Sequence, residues 1–143
     1  MAKVEIKIVG KPQGKQRPKF SRQGNFVKTY TPEQTVNYEN YVRLCWMQSG
    51  AEMLNGNIKA KIRAHFKVPS SVSKKKRERM LKSYYDHKPD TDNLAKIILD
   101  SLNGIAYSDD AQVVWLEVCK VYDTEEYVTL TLEEINDEEL SEL

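Results

Sequence analysis

The sequence lacks the features that mark several large classes of protein. Its 143 residues contain no apolar run near the ~20 residues that a membrane span needs, and the opening MAKVEIKIVG lacks the pattern of a secretory signal peptide. The glycine-rich patterns GxxxxGKS/T and GxGxxG are also absent. We therefore expect a cytoplasmic protein with neither a membrane partner nor a nucleotide cofactor.

Cysteine and histidine are scarce, with two residues of each. Cys45, Cys119, His65 and His87 are too far apart in the sequence to form a zinc cluster. We expect the two thiols to be reduced and buried, and a single disulfide between them is the alternative. The side chains that are left to bind a metal ion are the carboxylates.

A net charge of +1 conceals a strong separation of charge along the chain. Residues 1–88 hold 20 Lys and Arg against 6 Asp and Glu, a net charge of +14, and residues 89–143 hold 2 against 15, a net charge of −13. Clustered cations favour a polyanion such as nucleic acid, because phosphates release counterions when cations bind them. The alternative is an ordinary solvated surface whose charges are segregated by chance.

Three segments of the basic half are candidates for nucleic-acid contacts. Lys11–Pro32 is predicted to be a long loop whose cations alternate with aromatic rings, as suits phosphates and bases, although a disordered arm has the same composition. Ile58–Val68 alternates strictly and predicts a strand whose outward face is basic and includes His65. Ser70–Tyr85 predicts a basic helix. The expected DNA contacts in these segments are Lys15, Arg17, Lys19, Lys61, Arg63, Lys74, Lys75, Lys76 and Arg77, and Lys88 just beyond them is a further one.

The length is that of one domain, and 40% apolar residues suffice for a core. The predicted order is strand, helix, strand, helix, helix, strand, strand, which indicates an α/β or α+β fold with a mixed sheet of about four strands packed with helices. We assign residues 1–136 to this domain and residues 137–143 to an acidic tail. A short turn separates Val113–Val121 from Tyr127–Leu132, so we expect an antiparallel hairpin with the first strand buried on both faces and the second more exposed.

The acidic residues concentrate around one predicted helix, in the segment KPDTDNLAKIILDSLNG from Lys88 to Gly104 and the SDDAQVV that follows it. The charged candidates of this region are Asp90, Asp92, Lys96, Asp100, Asp109 and Asp110. Asp92, Lys96 and Asp100 are spaced at four residues and therefore share one helix face. Carboxylate oxygens are the ligands that Mg2+ prefers. A ladder of salt bridges along an exposed helix is the alternative.

The pattern K-P-D-x-D-N-L-x-K-x-x-x-D-x-L-N-G followed by D-D-x-Q-V resembles the signature of the RusA family of Holliday junction resolvases. The similarity extends to the GKQRP loop at Gly14–Pro18 and to the TYTP segment before the first long helix. The resemblance implies a RusA-like fold, a homodimer, four-way junction DNA as partner, and paired symmetric nicks during DNA recombination and repair. Members of this family are often carried by phages and prophages, so a role in a mobile element is a further expectation.

The resemblance also assigns roles within the acidic segment. It implies that Asp90, Asp92 and Asp110 hold a catalytic Mg2+, with Mn2+ as a candidate substitute. Lys96 is then needed for cleavage. Asp110 is preferred to its neighbour Asp109 because the DAQV that follows anchors the match.

Asp100 and Asp109 are secondary acidic candidates. Two other classes of function stay open at this point. One is a non-catalytic DNA-binding protein whose carboxylates only cap and brace a helix. The other is a metal-dependent nuclease that prefers flaps, replication forks or RNA.

Overall fold

The computed structural model describes residues 1–142, apart from the side chains of Gln23 and Glu142. This range contains three α-helices, a four-stranded mixed sheet and a separate two-stranded sheet, so the predicted α+β fold is confirmed. The elements are β1 Lys3–Val9, β2 Lys19–Gln23, β3 Phe26–Tyr30, α1 Glu33–Gln48, β4 Asn57–Lys67, α2 Lys74–Met80, α3 Thr91–Ser101, β5 Val113–Asp123 and β6 Tyr127–Ile135, with short 3-10 helices at Asp110–Gln112 and Asp137–Glu142.

The large sheet has the strand order β1-β6-β4-β5. β4 is paired on both sides, parallel to β5 and antiparallel to β6, with Ile62 opposite Val118 and Leu130. Its strict alternation places Ile58, Ile62 and the intervening alanine on one buried face. The predicted strand at this position is therefore confirmed, and it is the centre of the sheet.

The predicted hairpin between the last two strands is wrong, because β4 lies between β5 and β6. The connection at residues 124–126 is long enough for this, since four Cα steps reach up to about 14 Å and two strand spacings are about 10 Å. The burial prediction is also reversed. β5 is an edge strand with Val114 57% and Leu116 45% exposed, whereas Val128, Leu130 and Leu132 of β6 are buried.

α1 and α3 cover one face of the large sheet. Tyr38, Val42 and Trp46 of α1 enter the same core as the apolar residues of α3, namely Leu94, Ala95, Ile97 and Ile98. On α3 these positions follow the helical repeat, so the opposite side of the helix is left to polar residues. No helix within residues 1–142 is both long and apolar enough to cross a membrane.

Three local predictions need correction. Lys11–Pro32 is not all loop, because it contains the β2–β3 pair. His65 lies on the predicted face of β4 but is not exposed there, because it is buried, stacked on the ring of Tyr127 at 4.0 Å and hydrogen-bonded to Asp123 at 2.9 Å. Burial lowers the pKa of His65 against the opposing effect of Asp123. Cys45 and Cys119 are free thiols, half-buried rather than buried.

Candidate active site

The solvent side of α3 carries the predicted charged stripe. Asp92 and Lys96 are exposed, and the side chain of Asp100 retains 31% exposure. Asp90 occupies the N-cap position, but within the described chain its carboxylate makes no capping hydrogen bond and instead lies 3.3 Å from the Lys88 ammonium. The Asp90 carboxylate is therefore not used to begin the helix and is free to face a ligand.

The segment that leads into α3 is held in place by hydrogen bonds from a residue of β5. The Lys120 ammonium donates to the carbonyl oxygens of His87 at 2.7 Å and Pro89 at 2.9 Å. The Tyr85 hydroxyl donates to the carbonyl of the lysine between them at 3.1 Å, and its ring stacks on the buried Phe66 with centroids 3.8 Å apart. These contacts fix the backbone from which the Asp90 side chain projects.

Asp109 has a structural task. Its carboxylate accepts a hydrogen bond from the Ala111 N–H at 3.1 Å, and the Gln112 side chain accepts one from the Asp109 N–H at 3.1 Å. This reciprocal pair is a capping box at the start of the 3-10 helix. The Gln112 amide also donates to the Gly56 carbonyl at 3.0 Å and ties the turn to the start of β4.

Asp110 is held by a different residue, Asn103. The Asp110 N–H donates to Asn103 Oδ1 at 2.7 Å, and Asn103 Nδ2 donates to Asp110 Oδ2 at 3.3 Å. Partial burial, together with the nearby carboxylates of Asp100 and Asp109, raises the pKa of Asp110, and the Asn103 amide opposes this rise. Asn103 is not among the residues that the sequence pattern indicates for the site.

The carboxylates therefore form two groups, one at each end of α3. Asp92 and Asp100 are eight residues apart, which is about 12 Å along the helix axis, and Asp110 interacts with Asp100. Among residues 1–142, no three Asp, Glu, His or Cys side chains lie close enough together to hold a metal ion. The expected trio of Asp90, Asp92 and Asp110 is thus not gathered in this conformation.

The donor chemistry of the trio nevertheless fits a hard divalent cation. All three ligands would be carboxylate oxygens. The raised pKa of Asp110 reflects its burial and its crowding by like charges, and a cation placed there would relieve that crowding.

A model of the endodeoxyribonuclease RusA family matches residues 10–133, which include all of α3 and both Asp109 and Asp110. The chain belongs to the RusA endodeoxyribonuclease family. A protein of Bacillus subtilis (strain 168) named "Uncharacterized protein YqaN" is 32% identical over 138 residues, covering 93% of this chain and 97% of that protein. The resemblance drawn from the KPDTDN and DDAQV motifs is confirmed.

The GKQRP loop of this RusA-family chain lies directly on α3. A Cβ on Gly14 would approach the Cβ of Pro89 to 2.8 Å and that of Asn93 to 3.1 Å, so only glycine permits this contact. The Lys15 N–H donates to the Asn93 carbonyl at 2.9 Å. The backbone of the loop is therefore docked beside the first turn of the helix.

The side chain of Lys15 turns toward carboxylates. Its ammonium is 3.0 Å from Glu39 Oε2 and 3.7 Å from Asp100 Oδ2, and the side chain is 23% exposed. Lys15 thus connects α1 to the C-terminal end of α3. Neither this link nor Glu39 was expected from the sequence, because the partners are distant in the chain and on different elements.

The other predicted DNA contacts of the RusA-family chain lie on several different elements. Arg17 belongs to the GKQRP loop, and Lys19 is the first residue of β2. Lys61 and Arg63 project from the face of β4 that is opposite to α1 and α3, and Arg63 lines a depression with the residues that follow α2. The predicted basic helix is confirmed in part as α2, which carries Lys74, Lys75, Lys76 and Arg77.

Proposed function

We propose that this RusA-family chain is a Mg2+-dependent endodeoxyribonuclease that resolves Holliday junctions by paired symmetric nicks in DNA recombination and repair. The observation that carries the proposal is the solvent side of α3. It presents Asp92, Lys96 and Asp100 in one stripe, with Asp110 fixed at its end by Asn103. This stripe lies within the part of the chain that matches the endodeoxyribonuclease family.

In this proposal Asp90, Asp92 and Asp110 hold the Mg2+ ion, and Mn2+ can substitute for it. A bound divalent ion of this kind supplies polarisation of a phosphoryl oxygen and a more acidic water molecule. Two further roles are assigned to side chains of the protein. Asn103 aims Asp110, and the Lys96 ammonium stabilises negative charge that develops on the phosphoryl oxygens.

Asp100 and Asp109 do not serve as ligands in this proposal. Asp109 is engaged in the capping box, and Asp100 is paired with Lys15. Asp100 acts through its effect on the pKa of Asp110. Its carboxylate disfavours the ionised form of Asp110 until a cation is present.

The proposed partner is four-way junction DNA, which is bound by a homodimer. Two symmetric nicks require two sites related by a two-fold axis, which a dimer of identical chains provides. Contacts from exposed cations to phosphates would place the arms without selecting sequence. We propose a cytoplasmic location, where such DNA is accessible.

The test is a Mg2+ titration of nicking on an immobile four-way junction, with flap, fork, duplex and RNA substrates at matched salt. The expected result is a pair of symmetric nicks in the junction that depends on Mg2+ and is much slower on the other substrates. Junction binding without cleavage under any divalent ion would identify a non-catalytic DNA-binding protein. Faster cleavage of flaps, forks or RNA would assign a different nuclease specificity.

A further inference from the structure

The β2–β3 ribbon, Lys19–Tyr30, stands apart from the rest of the fold. Its two strands pair with each other in a separate sheet, and each residue of β3 is exposed. The strands contribute no residue to the hydrophobic core of the described chain. The ribbon is therefore a projecting element whose side chains are available to a partner.

The register of the ribbon shows how its side chains are distributed. Lys19 is opposite Tyr30 and Ser21 is opposite Lys28, and directly opposed residues in an antiparallel pair share a face. Phe26 falls on the same face because residues two apart along a strand point the same way. One face of the ribbon thus combines two ammonium groups with two aromatic rings.

The other face repeats this chemistry. Phe20 is opposite Thr29, and Arg22 is opposite Val27. This face also places an aromatic ring beside a cation. A ribbon with rings and cations on both faces suits a ligand that offers flat apolar surfaces and negative charge together, as nucleic acid does.

The aromatic rings of the ribbon are too exposed to contribute to the packing of the fold. Phe20 is 73% exposed, Phe26 79% and Tyr30 46%. The register places Phe20 on one face of the ribbon and Phe26 and Tyr30 on the other, so a partner that stacks on aromatic rings could be contacted from both faces.

The charge of the ribbon favours DNA over a symmetric contact with the ribbon of a second copy. The segment Lys11–Pro32 contains six Lys and Arg and no Asp or Glu. The ribbon of a second copy would bring the same positive charge and be repelled, whereas a phosphate backbone would be attracted. The occupant favoured by the structure is therefore a DNA strand.

The root of the ribbon lies at the candidate active site. Lys19 follows Lys15 by four residues, so its Cα is within about 14 Å of the residue that is docked on Asn93 and paired with Asp100. At its other end Tyr30 leads into α1, which carries Glu39, the second partner of Lys15. DNA that lies on α3 is therefore within reach of the root of the ribbon.

We propose that the β2–β3 ribbon inserts Phe20 and Phe26 among unstacked bases at the branch point of a DNA junction while its cations contact the flanking phosphates. When the arms of a junction are unstacked, the bases at the branch point lose a stacking neighbour, and an aromatic side chain can replace it. Duplex arms keep their bases stacked and offer no such position. This inference rests on the proposed DNA substrate and names the element that distinguishes a junction from a duplex.

The test uses an immobile junction with 2-aminopurine at the branch point or, as a reference, in the middle of one arm. Binding of the full chain is followed with Ca2+ in place of Mg2+, so that fluorescence does not depend on cleavage. The variant is the double substitution Phe20→Ala and Phe26→Ala. The matched control is Val27→Ala, which removes an apolar side chain that is 66% exposed on the same ribbon but is not aromatic.

We expect the unsubstituted chain to change the fluorescence at the branch point and not in the arm. The double variant should lose this change and bind the junction roughly 10-fold more weakly, with little effect on duplex binding, and Val27→Ala should resemble the unsubstituted chain. The inference is overturned if the chain leaves the branch-point signal unchanged, if the double variant retains the change, or if Val27→Ala loses it equally.

Sedimentation velocity tests whether the ribbon is instead a contact between copies of the chain. If the double variant changes the oligomeric state and not the branch-point signal, the ribbon is a contact between copies and the inference is wrong. The nuclease proposal is judged separately by nicking in Mg2+. A chain that shows the ring-dependent signal but nicks no junction would keep the inference and refute the nuclease activity.

Discussion

At the N-terminal end of α3 the carboxylates of Asp90 and Asp92 face solvent, whereas at its C-terminal end Asp110 is held by two hydrogen bonds with Asn103. The backbone before the first end is fixed by Lys120, but its carboxylates are not. The second end has its carboxylate fixed and its pKa raised. The protein alone thus orders one half of the proposed site and leaves the side chains of the other half to a ligand.

The separation of the carboxylates into two groups lets one helix carry acidic residues beside a polyanionic substrate. The carboxylates are kept apart over about two turns, which limits their mutual repulsion. Partial burial and the neighbouring carboxylates raise the pKa of Asp110, so this residue ionises less readily. A cation bound near Asp110 would offset the repulsion among the carboxylates and favour the ionised form of Asp110.

The largest effect is expected from removing a carboxylate at either end. Asp92→Asn and Asp110→Asn should each slow nicking of a four-way junction by at least about 1000-fold, because each removes a proposed ligand. Binding in Ca2+ should stay within a few-fold. Asp86→Asn is the matched control, since Asp86 is an exposed aspartate just before the same helix and paired only with His87 among the described residues. Cleavage within 10-fold of the unsubstituted rate in either variant would contradict the proposed trio.

A smaller loss of nicking activity is expected when the hydrogen bonds that hold Asp110 are removed. Asn103→Ala removes both hydrogen bonds to Asp110 and leaves the carboxylate in place. Residues that orient a metal ligand are typically worth about 10- to 100-fold, so the Mg2+ concentration for half-maximal nicking should rise within that range. A variant with unchanged Mg2+ dependence would show that Asp110 does not depend on Asn103.

Asp100→Asn is expected to shift the pH dependence of nicking rather than to abolish nicking. The Asp100 carboxylate is one of the groups that raise the pKa of Asp110, so its removal should let Asp110 ionise at lower pH. Since only the ionised carboxylate binds a cation, the acid limb of the nicking rate at subsaturating Mg2+ should move to lower pH. The pH–rate profiles of the two proteins measure this, and an acid limb that moves upward or stays unchanged would refute the electrostatic link.

The smallest effect on activity should come from the neighbouring aspartate. Asp109→Ala breaks the capping box and should cost about 1 kcal/mol of unfolding free energy, while nicking stays within a few-fold. Urea unfolding and junction nicking of the same preparation check both parts. If Asp109→Ala instead abolished nicking with little change in stability, the roles of the two adjacent aspartates would be exchanged.

The parts of the fold that follow local patterns were predictable from the sequence. α3 has a clear helical repeat and β4 a strict alternation, and both lie where their patterns predict. The order of the strands was not predictable in this way. The short connection between β5 and β6 is equally compatible with pairing and with skipping over β4, and only the packing of the whole sheet decides between them.

The site was predictable to the level of residue types but not of contacts. The spacing of Asp109 and Gln112 is that of a capping box, and this signal could have separated Asp109 from Asp110. Asn103 and Glu39 carry no such local signal. Their partners, Asp110 and Lys15, are brought to them by the turn after α3 and by the packing of α1, which no short pattern records.

The most direct test of the metal proposal is the position of Mn2+ in a crystal of the full chain, located by its anomalous scattering. We expect an ion that contacts carboxylate oxygens of Asp90 and Asp92 together with that of Asp110. An ion bound only at the C-terminal end, or one that touches neither Asp92 nor Asp110, would contradict it.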